Sequence, residues 1–244
     1  MKTDASNHTG YDLLLTGFPA RTERGFLGWS TTVLLRTTAG YALFDTGTAG
    51  DRPGLLRALA ARGIRNGDIR TIILSHLHFD HVANAECFPQ AEFLLHETER
   101  NYFDDHGAAD AAVPLFLAET LLRKPRLRLI SGEPEILPGI RVLRTPGHTG
   151  GHISLSLTVD GKQVVLAQDA LKHRGETVSE TLAGAFDAEA ARKSVDRILT
   201  MADVIVPGHD VPLERVDGGF MPVSASHERI EILPDGRSYA LTVQ

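Results

Sequence analysis

Three histidines and an aspartate fall within seven residues of this chain, in Ser75-His76-Leu77-His78-Phe79-Asp80-His81. The stretch follows directly on Ile72-Ile73-Leu74, with Thr71 before them. A short apolar run of this kind reads as a buried strand, so the imidazoles and the carboxylate occupy the turn that leaves it. Polar groups crowded at a buried strand end are costly unless they are paired or bind metal, and a metal site is the simplest explanation. His76 and His78 are two residues apart and project the same way from extended chain. Asp80 and His81 follow after the chain has turned, facing a second position nearby. That spacing suits two adjacent metals better than one.

Further candidate ligands lie downstream. His148 sits in the tight loop Thr145-Pro146-Gly147-His148-Thr149-Gly150-Gly151-His152, after a strand that ends at Arg144. Asp169 follows the apolar strand Val164-Val165-Leu166-Ala167, and His209 follows Val204-Ile205-Val206 through Pro207-Gly208. Each lies just past a strand, and side chains from several strand ends can converge on one rim of a rigid sheet. Together they supply five histidines and two aspartates, enough for two metals.

The remaining pattern is of α/β type. Strands are expected at Tyr11–Phe18, Trp29–Arg36, Tyr41–Phe44, Glu92–Leu95, Leu127–Ile130, Ile140–Arg144 and Ile153–Val159, with an Asp160-Gly161 hairpin turn into Gln163–Ala167. Helices are expected from Asp51 or Arg52 to about Arg62, stopped by Gly63, then over Glu97–His106, Val113–Arg123 and from an Asp187 cap to about Met201. Short strands near His227–Leu233 and Ser238–Val243 flank a turn at Pro234-Asp235-Gly236. Residues 1–10 read as a loose polar tail without a secretory signal, and residues 11–244 as one domain with sheets covered by helices. The net charge of -6 includes no basic run, so nothing favours nucleic acid or an anionic membrane. The lone Cys87 excludes an internal disulfide framework, reads as a small core residue, and fits a reducing cytoplasm. A small-molecule substrate is the expected partner, and a homodimer is left open.

Taken in order, His76-Leu77-His78-Phe79-Asp80-His81, Pro146-Gly147-His148-Thr149, Asp169 and Pro207-Gly208-His209 resemble the metallo-β-lactamase superfamily, as does the strand end Asp45-Thr46-Gly47. The resemblance spans about residues 29 to 210. It implies an αβ/βα sandwich of two mixed β-sheets flanked by helices. It implies that His76, His78 and His148 hold one metal, that Asp80, His81 and His209 hold the other, that Asp169 bridges them, and that Asp45 orients ligands from behind. The implied cofactors are two divalent ions, Zn(II) first, with Fe, Mn or Co as alternatives. The implied activity is hydrolysis of a carboxylic ester or lactone by a hydroxide shared between the metals, with Asp80 passing a proton to the leaving group. A glyoxalase II-like thioesterase and a mononuclear iron dioxygenase are the alternatives.

Overall length and the Ser75–His81 phrase look most like N-acyl homoserine lactonases. Those enzymes place a tyrosine three residues after the bridging aspartate, where this chain has Lys172, followed by His173 and Arg174. Lys172 is therefore a second catalytic candidate, able to stabilise an oxyanion or hold a substrate carboxylate. Pocket walls are expected from residues 18–29, 97–125 and 170–186.

Overall fold

The structure is a computed structural model that describes residues 9–232 and 236–243. Two mixed sheets face each other. The first runs, edge to edge, Gly10–Leu15, Thr32–Thr37, Gly40–Phe44, Ile69–Ile73, Glu92–His96 and Leu127–Ile130. Its first three strands are joined antiparallel and the rest parallel. The second runs Gly219–Pro222, Leu213–Val216, Val204–Pro207, Lys162–Gln168, Ile153–Val159, Ile140–Arg144 and Glu135–Leu137. There the Lys162–Gln168 and Val204–Pro207 strands are parallel and the other pairs antiparallel.

The period-2 alternation of strand side chains divides the core into three layers. Val33 and Leu35 of the first sheet join Phe44, Ile73 and Leu94 against Leu155, Leu157, Val164 and Leu166 of the second. The intervening Leu34 faces the other way, with Leu43, Ile72 and Phe93, onto Leu55 and Leu59 of the Arg52–Ala61 helix and Ala118 and Leu121 of the Leu115–Leu122 helix. On the outside of the second sheet, Val165, Ala167 and Ile205 pack on Val195 and Ile198 of the Ala188–Met201 helix. The layers are therefore helix, sheet, sheet, helix, the αβ/βα sandwich. Strands buried on both faces read as unbroken apolar runs, which is why Val164-Val165-Leu166-Ala167 does not alternate.

Local signals account for most element ends. Asp187 caps its helix, its Oδ1 accepting from Ala190 N–H at 3.0 Å. The helix expected from Val113 begins instead at Leu115, because Pro114 fixes the backbone just before it and supplies no N–H. The first strand stops at Leu15, and Phe18 makes only an isolated bridge to Trp29. Between them Arg21–Thr22 and Gly25–Phe26 form a small ribbon. Cys87 is half-buried against the outer core. Ser226–Ile232 and Arg237–Val243 pair with each other as a separate two-stranded sheet. The expected tail at residues 1–8 and the turn residues Pro234 and Asp235 lie outside the described residues. Among those described, no helix is long and apolar enough to cross a membrane.

Leu155 is fully enclosed between the sheets, whereas Leu129 is 46% exposed. Leu155→Ala is expected to cost about 2–5 kcal/mol, and Leu129→Ala no more than about 0.5 kcal/mol. Urea unfolding midpoints of the two variants check this; equal midpoints would contradict the layer assignment.

Candidate metal centre

Strand ends from both sheets carry the site. In the first sheet, the Ile69–Ile73 strand leads into Ser75–His78 and then the short helix Phe79–Val82, which carries Asp80 and His81. In the second, His148 follows the Ile140–Arg144 strand, Asp169 the Lys162–Gln168 strand and His209 the Val204–Pro207 strand. Two strand ends leave the common backbone regions: Asp45 has φ 60° and Gln168, next to Asp169, has φ 47°. Non-glycine residues adopt such values only where surroundings hold them, commonly at functional sites. Gly208 is required by closeness, since a Cβ there would collide with Asp169 Oδ1.

The expected ligands meet in overlapping groups. Donor atoms of His76, His78 and His148 lie within 4.8 Å of one another; so do those of Asp80, His81 and His209, and those of His76, His81 and Asp169. The Asp169 carboxylate spans the first two groups. Its Oδ2 is 3.2 Å from His148 Nε2, and its Oδ1 is 3.3 Å from both His81 Nε2 and His209 Nε2.

The hydrogen bonds behind the imidazoles fix which nitrogen carries the proton. Ser75 Oγ donates to Asp45 Oδ2 at 2.6 Å, so His76 Nδ1, 2.8 Å from that hydroxyl, must donate to it. His81 Nδ1 donates to Asp45 Oδ2 at 2.8 Å, His78 Nε2 to Asp110 Oδ2 at 2.9 Å, and His209 Nδ1 to the Trp29 carbonyl at 3.0 Å. Each bond leaves the opposite nitrogen as a lone pair directed at the cluster when the ring is neutral. His76 Nε2 and His81 Nε2 are buried there with no hydrogen-bond partner. Buried, unpartnered imidazole nitrogens beside two carboxylates form a donor set that fits a divalent cation of borderline softness, and the outer hydrogen bonds are those that metal-bound histidines need.

Burial and charge divide the histidines. Burial and the neighbouring imidazoles hold His76 well below the usual histidine pKa; burial does the same to His148, despite Asp169. Burial also acts against the charged form of His81, but the carboxylates of Asp169, Asp80 and Asp45 outweigh it and hold that pKa well above the usual value. The pKa of His209 is raised too, Asp169 overcoming its burial. For Asp169, burial is outweighed by His209, His81 and His148, which hold the carboxyl well below its usual range.

A cavity of about 680 Å³ opens onto the cluster. His78, Asp80, His148, Asp169 and His209 form its floor, while His76 and His81 lie behind at no more than 0% exposure. Its walls include Phe18 and Phe26, then Tyr102, Asp110 and Ala112, then Lys172, Glu176 and Phe186. These come from the three segments singled out in the sequence. Of the apolar residues in the 97–125 segment, Tyr102 lines the cavity, Phe103 and Leu117 pack on the core, and Phe116 is 91% exposed. Lys172 reaches the wall but is paired: its Nζ lies 2.8 Å from Oε1 of the buried Glu176, whose Oε2 accepts from Lys172 N–H at 2.6 Å.

Three contributors escaped the sequence reading. Asp110 was legible only as part of an interhelical linker. Glu99 is fully buried on a helix with little apolar character, where nothing in the pattern marks its carboxyl as enclosed. His152, also buried, stands in the same glycine loop as His148, and that shared loop was the available signal.

Comparison with known proteins agrees with this geometry. The family model of the metallo-beta-lactamase superfamily matches residues 27–209. Metallo-beta-lactamase domain-containing protein 1 of Rattus norvegicus is 34% identical over 195 residues, 78% of this chain and 69% of that protein. An N-acyl homoserine lactonase of a Bacillus species is 31% identical over 166 residues, 66% of this chain and 64% of that protein. The crystal structure of a quorum-quenching N-acyl homoserine lactone hydrolase superposes with a TM-score of 0.63 at 27% identity, covering 79% of this chain and 85% of that one. With its two facing mixed sheets, its His/Asp cluster on their shared rim and this match over most of its length, the chain belongs to the metallo-β-lactamase superfamily.

Proposed function

We propose that the chain is a dinuclear metal-dependent hydrolase of carboxylic esters or lactones. The observation that carries this reading is the pair of three-residue donor groups joined by the Asp169 carboxylate at the floor of an aromatic-walled cavity. His76, His78 and His148 would hold one ion and Asp80, His81 and His209 the other, with Asp169 reaching both. Divalent ions bound there, Zn(II) first among the candidates, would supply Lewis acidity that lowers the pKa of bound water to about 7 and polarises a carbonyl. The similarity to N-acyl homoserine lactonases supports a lactone or ester among the hydrolysable acyl compounds.

The chain's own groups supply the rest. Asp80 is 7% exposed on the cavity floor, with Oδ2 3.6 Å from His209 Nε2 and Oδ1 3.7 Å from His81 Nε2. It is positioned to accept a proton from water and return it to the leaving oxygen. Phe18, Phe26, Phe79 and Phe186 offer apolar surface for an acyl chain. Lys172 donates to Glu176 and retains further N–H donors for a substrate oxygen. Because Glu176 offsets its charge, this lysine suits a neutral carbonyl better than a free carboxylate.

Three outcomes test the reading. Asp169→Ala should drop metal content from two ions per chain toward one and reduce lactone or aryl-ester turnover by more than the ~10–100-fold typical of losing an outer partner; two ions and normal turnover in elemental analysis and rate assays would remove the bridging role. Metal uptake should release protons: the neighbouring carboxylates push the pKa values of His81 and His209 above the usual histidine value and so favour their protonated rings before an ion enters, and a metal requires both rings neutral. Affinity should accordingly rise with pH, and titration of the metal-free protein in weak buffer measures the release; uptake without protons would contradict the assignment of these rings. Lys172→Ala should slow neutral and acidic esters alike, whereas a loss confined to acidic esters would make Lys172 a carboxylate binder.

A further inference from the structure

The carboxyl of Glu99 is fully buried, is absent from the cavity wall, and has no part in the chemistry above. Its surroundings are nevertheless specific. Oε1 accepts from Leu77 N–H at 3.0 Å, and Oε2 accepts from Thr149 Oγ1 at 2.6 Å and from Gly151 N–H at 3.2 Å. Leu77 is the residue between His76 and His78, and Thr149 directly follows His148. One carboxylate thus clamps together the two loops that carry a single donor group.

The packing around Glu99 is equally tight. A Cβ on Gly151 would collide with the backbone of Glu99, so the first turn of the Glu97–His106 helix lies directly on the His148 loop. The same segment of chain supplies Asp110, which receives His78 Nε2–H and the Tyr102 hydroxyl. The other donor group shares only Asp45 with the first, through Ser75 and His76, and does not share Glu99. Asp45 holds His81, the Trp29 carbonyl holds His209, and none of the hydrogen bonds made by Glu99 reaches them.

We propose that Glu99 is a positioning residue that sets the metal affinity of the His76–His78–His148 group alone. This role rests on reading the cluster as a metal centre and is specific to one of its halves. Two of the three donors to Glu99 are backbone N–H groups, which cannot reverse their role. A carboxylate accepts all three bonds. A glutamine of the same shape must turn its NH₂ toward at least one N–H, which separates the loops or leaves a donor unsatisfied. The cost falls on the spacing between His78 and His148, whose Nδ1 and Nε2 are 3.0 Å apart.

The test is a competition titration of the metal-free protein with Zn(II) and a chromophoric chelator, resolving two dissociation constants. The constant that His78→Ala abolishes identifies one half, and the constant that His209→Ala abolishes identifies the other. Glu99→Gln is expected to weaken the His78-dependent constant by about 10–100-fold, the range for lost outer partners, and to leave the His209-dependent constant unchanged. Two unchanged constants, or two weakened equally, overturn the proposal. If Glu99→Gln does not fold, Thr149→Val removes one donor and keeps the carboxylate; it should weaken the same constant by less, and no change in it overturns the proposal. A wild-type chain that takes up no Zn(II) sinks the metal-centre reading itself, whereas a two-metal wild type indistinguishable from both variants sinks only the role of Glu99.

Discussion

A neutral imidazole has two nitrogens and one proton, so holding the proton on one side commits the other side to accepting. Four of the five clustered histidines are committed in this way. Ser75 and Asp45, Asp110 and the Trp29 carbonyl each accept from the ring nitrogen remote from the centre. In the core of a protein, lone pairs gathered at one point are costly unless a cation satisfies them. Asp45 therefore serves by accepting rather than by catalysing: it binds the Ser75 hydroxyl, the Ser75 N–H and His81 at once. A strained backbone at Asp45 is the accompanying cost.

Asp45 is shared between the donor groups, holding His76 through the Ser75 hydroxyl and His81 directly, and the other supports are divided. Asp45 and the Trp29 carbonyl come from the N-terminal part of the chain and hold His81 and His209. Asp110 and Glu99 come from the helical segment after the Glu92–His96 strand and address His78 and its two loops. The same segment places Tyr102 in the cavity wall, where its ring meets Phe186 with centroids 4.9 Å apart. Cavity wall and the hydrogen bonds that address His78 and its loops are thus built on one segment, so a change in that segment reaches both.

The residues that meet at the rim were legible because their signals are local: apolar runs that end in His or Asp, and proline and glycine that force the turn. Those same runs located the strands and therefore the shared rim. What could not be read was whatever depends on the approach of distant segments. Asp110 matters because residues 107–113 fold back onto His78, and Glu99 because Gly151 lets a loop lie on its helix. Lys172 shows the same limit from the other side. Its position marked it as able to stabilise an oxyanion or hold a substrate carboxylate, and only the fold reveals that Glu176, four residues later, already engages it. The Leu213–Val216 and Gly219–Pro222 hairpin went unread because Leu213-Glu214-Arg215-Val216 carries no clean alternation, and its pairing is decided by the neighbouring Val204–Pro207 strand.

The centre draws His76, His78, Asp80 and His81 from the first sheet and His148, Asp169 and His209 from the second. On a ribosome these pieces emerge far apart in time. The histidine-rich turn is made first, and His209 only after the intervening residues 82–208 have followed it. A nascent chain can offer an ion three or four loose ligands early, but it cannot close the full set until the second sheet has docked. An ion bound by all of these residues would therefore be held only after both sheets have met, and one captured sooner would have an incomplete, exposed coordination shell.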